Sequence, residues 1–383
     1  MVVKKTILFS IIYWLFAFDS ALKIDFGFQI HLGVFLLIVL GGVVLLSSPQ
    51  KACCFVGRDK FYFIVTIYII ISGFIFFESG YKSILIYVLL SLFIYFTCYS
   101  MERKFTHQAF YYFQIFMIVT GLFQYSLYKI TGYQISFIDA EHYSKGSSVS
   151  HRLRGFFVEP NWFAISFIFN SLLLIGRDIV TFTKNNKYLA LFSALVLILN
   201  GSLTTMGIFM IIYTVPVIIR NPIKAIFGVV FLTFLLSLVF YFRMIINQKQ
   251  PSEMLNHTSR LIPFERVVEH LRASEPINLV FGYGLGSWGT KAIENRLSVL
   301  VFEEKPSARD GSEAPVMLFE FGIFGVVLLI IDLIIVYCRA SNDDIHLKGG
   351  VILFFVCLLF YPTLKFWIYM PYYFIIRTRI VKG

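Results

Sequence analysis

Apolar residues come along this chain in long unbroken blocks separated by short polar joints. The blocks fall at about 6–20, 27–47, 60–77, 83–100, 107–128, 156–176, 187–200, 205–219, 224–242, 314–338, 348–361 and 363–376. Each is near the length a helix needs to cross roughly 30 Å of hydrocarbon at 1.5 Å per residue. They are apolar all round and lack the strict alternation of a membrane β-strand. The pattern therefore predicts an all-α polytopic integral membrane protein of about twelve transmembrane helices, with residues 1–383 forming one membrane domain. The pairs 187–200/205–219 and 348–361/363–376 hold the shortest blocks, short enough for a re-entrant element. Val3-Lys4-Lys5 before an apolar run imitates a signal peptide, but an uncleaved first helix is the simpler expectation for a chain that spans repeatedly.

Composition agrees. Hydrophobic residues make up 58% of the chain and charged residues only 14%, with a mean hydropathy of +0.78. A soluble domain carries roughly 25% charged residues. The formal charge of +11 reads as topology. If the N-terminus is cytoplasmic, the inner segments hold 17 basic and 5 acidic residues, and the rest of the chain 16 basic and 17 acidic. That asymmetry follows the positive-inside rule, places both termini in the cytoplasm and leaves no basic excess for nucleic acid. The two long outer connections contain none of the five cysteines, so no disulfide framework is expected. Asn200-Gly-Ser202 and Asn256-His-Thr258 match the glycosylation sequon, a pattern too frequent to weigh.

The polar residues are spent unevenly. Inner connections are short, whereas two outer ones are long, at 129–155 and 243–313. Long connections in such a protein are where binding and chemistry concentrate. From Ser259 to Leu271 apolar and charged residues alternate with helical amphipathic spacing, so a helix is expected that lies on the membrane surface, folds over a cavity or is simply solvated. The segment His151-Arg-Leu-Arg-Gly-Phe-Phe-Val-Glu-Pro-Asn-Trp162 is the richest. Arg152 and Arg154 precede a span, and Glu159, Pro160 and Asn161 open it. Proline suits a first helical turn, and arginines beside a helix N-terminus suit a phosphate group. The same arginines would also serve as headgroup anchors. A glutamate and an asparagine one turn inside a membrane need partners, because burying them unpaired costs several kcal/mol.

Asp310, Glu313 and Glu320 form a second group. Glu313 and Glu320 share a helix face, and Glu320 falls about 9 Å below the outer boundary at 1.5 Å per residue. It would line a polar cavity or hold helices together through an ion pair. His31, Gln29, Lys82 and Gln124 fall near outer ends of spans and are weak signals singly. Gly284-Leu-Gly286-Ser-Trp-Gly289 fits the dinucleotide pattern without the βαβ unit that pattern requires. With Gly282 these glycines are expected to make a tight turn where backbone can approach a ligand. No metal spacing, nucleophile elbow or P-loop is present, so neither metal nor cofactor is expected.

Three ordered stretches resemble the O-antigen polymerase and ligase superfamily (Wzy-type polymerases and WaaL-type ligases). They are Arg154-Gly-Phe-Phe-Val-Glu-Pro-Asn161 opening a span, Ser259-Arg260 with Leu279-Val-Phe-Gly-Tyr-Gly-Leu-Gly286, and Glu320-Phe-Gly-Ile-Phe-Gly325. The likeness covers roughly residues 150–330. It implies a GT-C-like glycosyltransferase of the bacterial inner membrane, acting at the periplasmic face on undecaprenyl-diphosphate-linked glycans as donor and acceptor. The product would be O-antigen or a related surface polysaccharide of lipopolysaccharide biosynthesis, with membrane lipid and a chain-length regulator protein as partners. In such a reaction positive charge must meet the leaving diphosphate, which assigns Arg154 and Arg260 as clamps and Arg152 and Arg266 as reserves. Glu159, Asp310 or Glu313 would be the base that takes the acceptor proton, and Asn161 and Glu320 would line the cavity. Ligases of this kind carry a histidine just ahead of the span after the long loop. Here that stretch reads Ser307-Ala-Arg-Asp-Gly-Ser-Glu313, which favours a polymerase over the O-antigen ligase. A lipid-linked oligosaccharide flippase is the alternative from another class, and would spend polar residues at mid-membrane in both halves.

Overall fold

The computed structural model describes residues 11–12, 14–18, 22–25, 29–75, 88–101, 103–133, 135, 152–157, 159–202, 206–207, 209–212, 230, 234, 237, 241, 261–297, 312–361 and 369–383. The described chain is helical apart from one small hairpin. Arg260 and Asp310 lie outside these residues, as does most of the two apolar blocks at 205–219 and 224–242.

The hairpin is the first departure from the expected pattern. Strands β1 (Lys23–Asp25) and β2 (Gln29–His31) pair antiparallel, with Lys23 opposite His31 and Asp25 opposite Gln29. The block expected to be helical from residue 27 therefore becomes α1 only at Leu32, and runs to Ser47. His31 makes the change of state. Its Nδ1 accepts from the Gly33 N–H at 3.1 Å, while Nε2 lies 3.1 Å from the Phe18 carbonyl, so the ring caps the first turn. Polar and apolar residues alternate in Lys23-Ile-Asp25 and Gln29-Ile-His31, a period-2 signal hidden by the flanking apolar run.

Two compact units emerge. The first comprises residues 1–37, 101–251 and 341–350, and the second 38–100, 252–340 and 351–383. In the first, α5 (Arg103–Thr131), α6 (Pro160–Ile175), α7 (Ile179–Asn185) and α8 (Lys187–Asn200) pack together. Helix α6 is buried along almost its whole length. Its middle is polar. Asn170 Nδ2 donates to Gln114 Oε1 at 2.6 Å and to the Phe110 carbonyl at 3.0 Å, and Gln114 Nε2 donates to Ser171 and Ser193 at 2.9 and 3.1 Å. This amide network fixes the register of three helices that plain apolar packing would leave free to slide. Asp178 caps α7 by accepting from the Val180 and Thr181 N–H groups at 2.9 and 3.2 Å.

In the second unit α2 (Gln50–Arg58), α3 (Lys60–Ile75), α4 (Leu90–Ser100), α9 (Leu261–Ala273), α10 (Pro276–Phe281), α11 (Trp288–Glu294) and α12 (Ala314–Arg339) come together with α14 (Met370–Lys382). The chain crosses from one unit to the other within α1 and again within α13 (Ile345–Phe360). The amphipathic spacing from 259 to 271 is realised as α9, with Val267 and Leu271 buried against Trp288 and Phe319. Of the block expected at 363–376, residues 363–368 lie outside the described residues. Its helix, α14, continues to Lys382 and buries Arg377 completely, although that arginine reads in the sequence as a surface charge of an inner segment.

Arg377 holds this unit together. Its Nε and Nη2 donate to both oxygens of Asp59 at 2.5 and 2.9 Å, and its Nη1 and Nη2 donate to both oxygens of Asp332 at 2.5 and 2.7 Å. Tyr373 Oη accepts a further bond at 3.1 Å, and the guanidinium lies 4.7 Å from the centre of the Tyr62 ring. Asp59 and Asp332 are 1% and 5% exposed. Burial pushes the Asp59 pKa up, but the hydrogen bonds and charge of Arg377, with Tyr95 and Arg339, outweigh it and hold the carboxyl below its ordinary value.

Among the described residues, α12 is long and apolar enough to cross a membrane. The pairs α1/α2 and α6/α7, bent by 112° and 90°, have the composition of a span if each is one broken helix, and α3, α4, α8 and α13 are shorter apolar helices.

Candidate functional site

In the first unit the basic segment ahead of α6 folds into a braced collar. Glu159 occupies the N-cap position in extended conformation, and Pro160 begins the helix. Arg152 donates through Nε to the Asn200 carbonyl at 2.8 Å and through Nη2 to Asn161 Oδ1 at 3.3 Å. Ser202 Oγ donates to the same Asn161 oxygen at 3.2 Å. From the other side Asn200 Nδ2 donates to the Leu153 and Pro160 carbonyls at 2.7 and 2.8 Å, and its Oδ1 accepts from the Ser202 N–H at 3.2 Å. Gln124 of α5 accepts from the Arg154 N–H at 3.0 Å. The turn closes at Gly155 (φ +57°), packed against the Phe163 ring. Arg152, Glu159 and Asn161 are thus gathered at one helix start and half-buried, while the Arg154 side chain is only 3% exposed.

Asn200 and Ser202 escaped the sequence reading, where Asn200-Gly-Ser202 looked like a glycosylation pattern. Asn200 is fully buried and its amide nitrogen is bonded twice, so it is a brace and offers no acceptor for a glycan. The available signal was Asn-Gly-Ser between two apolar runs: Gly201 at φ +64° ends α8. Asn200→Ala removes a group that satisfies two buried carbonyls and one N–H. It is expected to cost about 2–3 kcal/mol at roughly 1 kcal/mol or more per stranded group, read as a lowered unfolding temperature in detergent.

In the second unit the glycine-rich stretch meets α12. The Tyr283 N–H donates to the Phe319 carbonyl at 2.9 Å and the Gly284 N–H to the Glu320 carbonyl at 2.8 Å. The Glu320 carboxylate accepts from the N–H groups of Gly286 and Trp288 at 3.0 and 3.3 Å. Glu320 is 1% exposed. The glycines admit close approach, as their spacing predicted, but what approaches is the backbone of α12. Helix α12 is broken where it is approached, at Gly322 (φ 63°, ψ −173°). Glu313 is fully buried at the N-cap position of α12, its N–H donating to the Tyr361 carbonyl at 3.1 Å. Arg266 projects from the exposed side of α9 and donates to the Arg296 carbonyl at 3.0 Å.

Two further features were not anticipated. His270 of α9 lies 3.2 Å from Tyr283 Oη, and Lys291 sits 4.6 Å from the centre of the Tyr283 ring. Burial, and then the Lys291 charge, push the His270 pKa down, so the imidazole is neutral at pH 7. A cavity of about 100 Å³ is lined mainly by apolar side chains such as Val65, Phe321 and Met370, with Asp332 and Tyr373 adding polar atoms. No protein-family model matches the chain. No curated protein matches it either.

Proposed function

We propose that the protein is a polytopic glycosyltransferase that polymerises lipid-diphosphate-linked oligosaccharide repeat units at the outer face of the inner membrane. In this reading about twelve spans cross the bilayer and both termini are cytoplasmic. The observation that carries it is the collar at the start of α6, where Asn200 and Ser202 hold the Arg152 guanidinium and Asn161 together. A glycosyl donor on a diphosphate leaves as an anion. A guanidinium fixed in advance, beside the positive end of a helix dipole, stabilises that developing charge without reorganising. Glu159 stands at the same helix start and is the carboxylate nearest in sequence to take the acceptor hydroxyl's proton. Arg152, half-buried, is better exposed to a ligand than Arg154, whose backbone is bonded into the collar. Arg260, Arg266, Asp310, Glu313 and Glu320 are secondary candidates in this reading.

The break in α12 bears on the transporter alternative. Transporters leave the backbone of broken helices facing their cargo, whereas the carbonyls of Phe319, Glu320 and Phe321 accept bonds from Tyr283, Gly284 and Tyr68 of the chain itself. That supports an enzyme over a flippase.

Deleting the gene and separating the cell-surface polysaccharide on a gel tests the proposal. Collapse of the long ladder to core plus a single repeat is the expected result. Loss of every repeat from the core would point to a ligase or flippase, and an unchanged ladder would overturn the reading. Arg152→Ala, returned to the deleted strain, is expected to give the single-repeat pattern with normal amounts of protein in the membrane. A full ladder from this variant would remove Arg152 from the diphosphate site.

A further inference from the structure

The connection between residues 243 and 313 reads in the sequence as a long outer loop, and one part of it outside the expected amphipathic helix has a surface suited to lipid. Helix α10 packs against α12, and Ile277, Val280 and Phe281 lie on one face at i, i+3 and i+4. They are 61%, 40% and 44% exposed. That face continues into α12, because the Phe281 ring lies 5.7 Å from Phe324, itself 43% exposed, and next to exposed Ile323. Below them Val327, Ile330, Ile331 and Ile334 carry the apolar stripe along the helix.

Depth follows from helix geometry. The 17 residues of α12 after its break, from Ile323 to Arg339, span about 26 Å at 1.5 Å per residue, less than the roughly 30 Å hydrocarbon core. With Arg339 at the far boundary, Gly322 lies roughly 5 Å inside the hydrocarbon. Phe281 and Gly282 meet α12 at this level: a Cβ on Gly282 would stand 2.5 Å from the Glu320 carbonyl and the Gly322 nitrogen.

Irregular backbone survives at such depth only if its polar groups are satisfied within the protein. Here they are satisfied in kind. The break at Gly322 frees carbonyls of α12, and the turn supplies donors to match. Tyr283 N–H bonds Phe319, Gly284 N–H bonds Glu320, and the Tyr68 hydroxyl bonds the carbonyl of Phe321 at 2.8 Å and lies 3.3 Å from that of Phe281. The Glu320 carboxylate takes the N–H groups of Gly286 and Trp288.

We propose that residues 276–287 are a re-entrant membrane segment, in the leaflet holding the N-terminal end of α12, with Ile277, Val280 and Phe281 against lipid acyl chains. The segment is anchored by the paired breaks at Gly282 and Gly322. This holds whichever chemistry the protein performs.

The test uses the full chain in phospholipid vesicles. Nitroxides are attached to single cysteines at 277 and 280 in a background lacking the native cysteines, with Ile330 as lipid reference and Asn295 as water reference. Labels at 277 and 280 are expected to collide several-fold more with oxygen than with a water-soluble nickel chelate, as at 330, and opposite to 295. Preference for the nickel chelate would overturn the proposal, and so would shielding from both, which would mean that protein covers the face. Unmodified protein gives an independent measurement in vesicles containing a phospholipid with a photoreactive acyl tail. Crosslinks on the peptide 276–287 are expected, and their absence beside crosslinked α12 would overturn the proposal.

Discussion

Replacing Arg377 with methionine is expected to destabilise the protein by about 3–5 kcal/mol, the usual cost of removing one member of a buried ion group. The reason is the company Arg377 keeps. Two carboxylates, Asp59 and Asp332, are buried on either side of it, and each is bound by two nitrogens of the same guanidinium. Without it they face each other uncompensated, apart from the half-exposed Arg339 at 3.7 Å from Asp59. Unfolding in detergent, followed by circular dichroism, measures the loss. The triple variant D59N/D332N/R377M is expected to recover most of it, since neutral partners leave no stranded charge. If the single variant unfolds like the unaltered protein, the clasp contributes no stability. The same group predicts a pH dependence. The Asp59 pKa is depressed in the folded state, so its contribution is complete above the unfolded value of about 4. It is lost as pH falls through the lower folded value, and the R377M variant should lack this acid-sensitive part.

Alanine at Gly282 or Gly322 is expected to be comparably severe, at about 3 kcal/mol or more. Two effects add. Both residues have positive φ, +75° and +63°, where a side chain is strained by roughly 1–3 kcal/mol. A Cβ would also come within 2.4–2.5 Å of backbone that cannot yield as a side chain would, and overpacking of this sort costs another 1–3 kcal/mol or so. Gly42 is the control. It lies within α1, and a methyl group added there would meet nothing within 4 Å, so Gly42→Ala should be neutral or gain up to about 1 kcal/mol from helix propensity. Equal effects at 42, 282 and 322 would show that the junction between the glycine-rich turn and α12 is loose.

The sequence carried the helices better than their breaks. Apolar runs located α3, α8 and α12 to within a few residues, because hydropathy alone decides where such helices lie. It could not register the break at Gly322, since Phe321, Ile323 and Phe324 keep the run apolar and a glycine inside it is commonplace. The spacing of Gly282, Gly284 and Gly286 did announce a close backbone approach, but spacing names no partner, and the partner was α12. Charge counting failed similarly at Arg377 and Asp59. Counting sees which side of a span a charge lies on, while pairing depends on contacts between residues 318 positions apart. At the candidate site the collar's basic and acidic residues were legible as unusual polar types beside an apolar run. Asn200 and Ser202, which hold them, were not, because an amide turned inward to cap carbonyls reads in sequence like one turned outward to water.

That separation of 318 positions also has a consequence for biogenesis. A chain made from its N-terminus releases residue 59 long before residue 377, and residue 332 only 45 positions ahead of it. Until then two carboxylates that end up buried have no guanidinium between them, and burying them early would leave them unpaired. Closure of this half of the molecule therefore waits until residue 377 has been translated and delivered. That closure is the step that a truncation ahead of residue 377 would disturb.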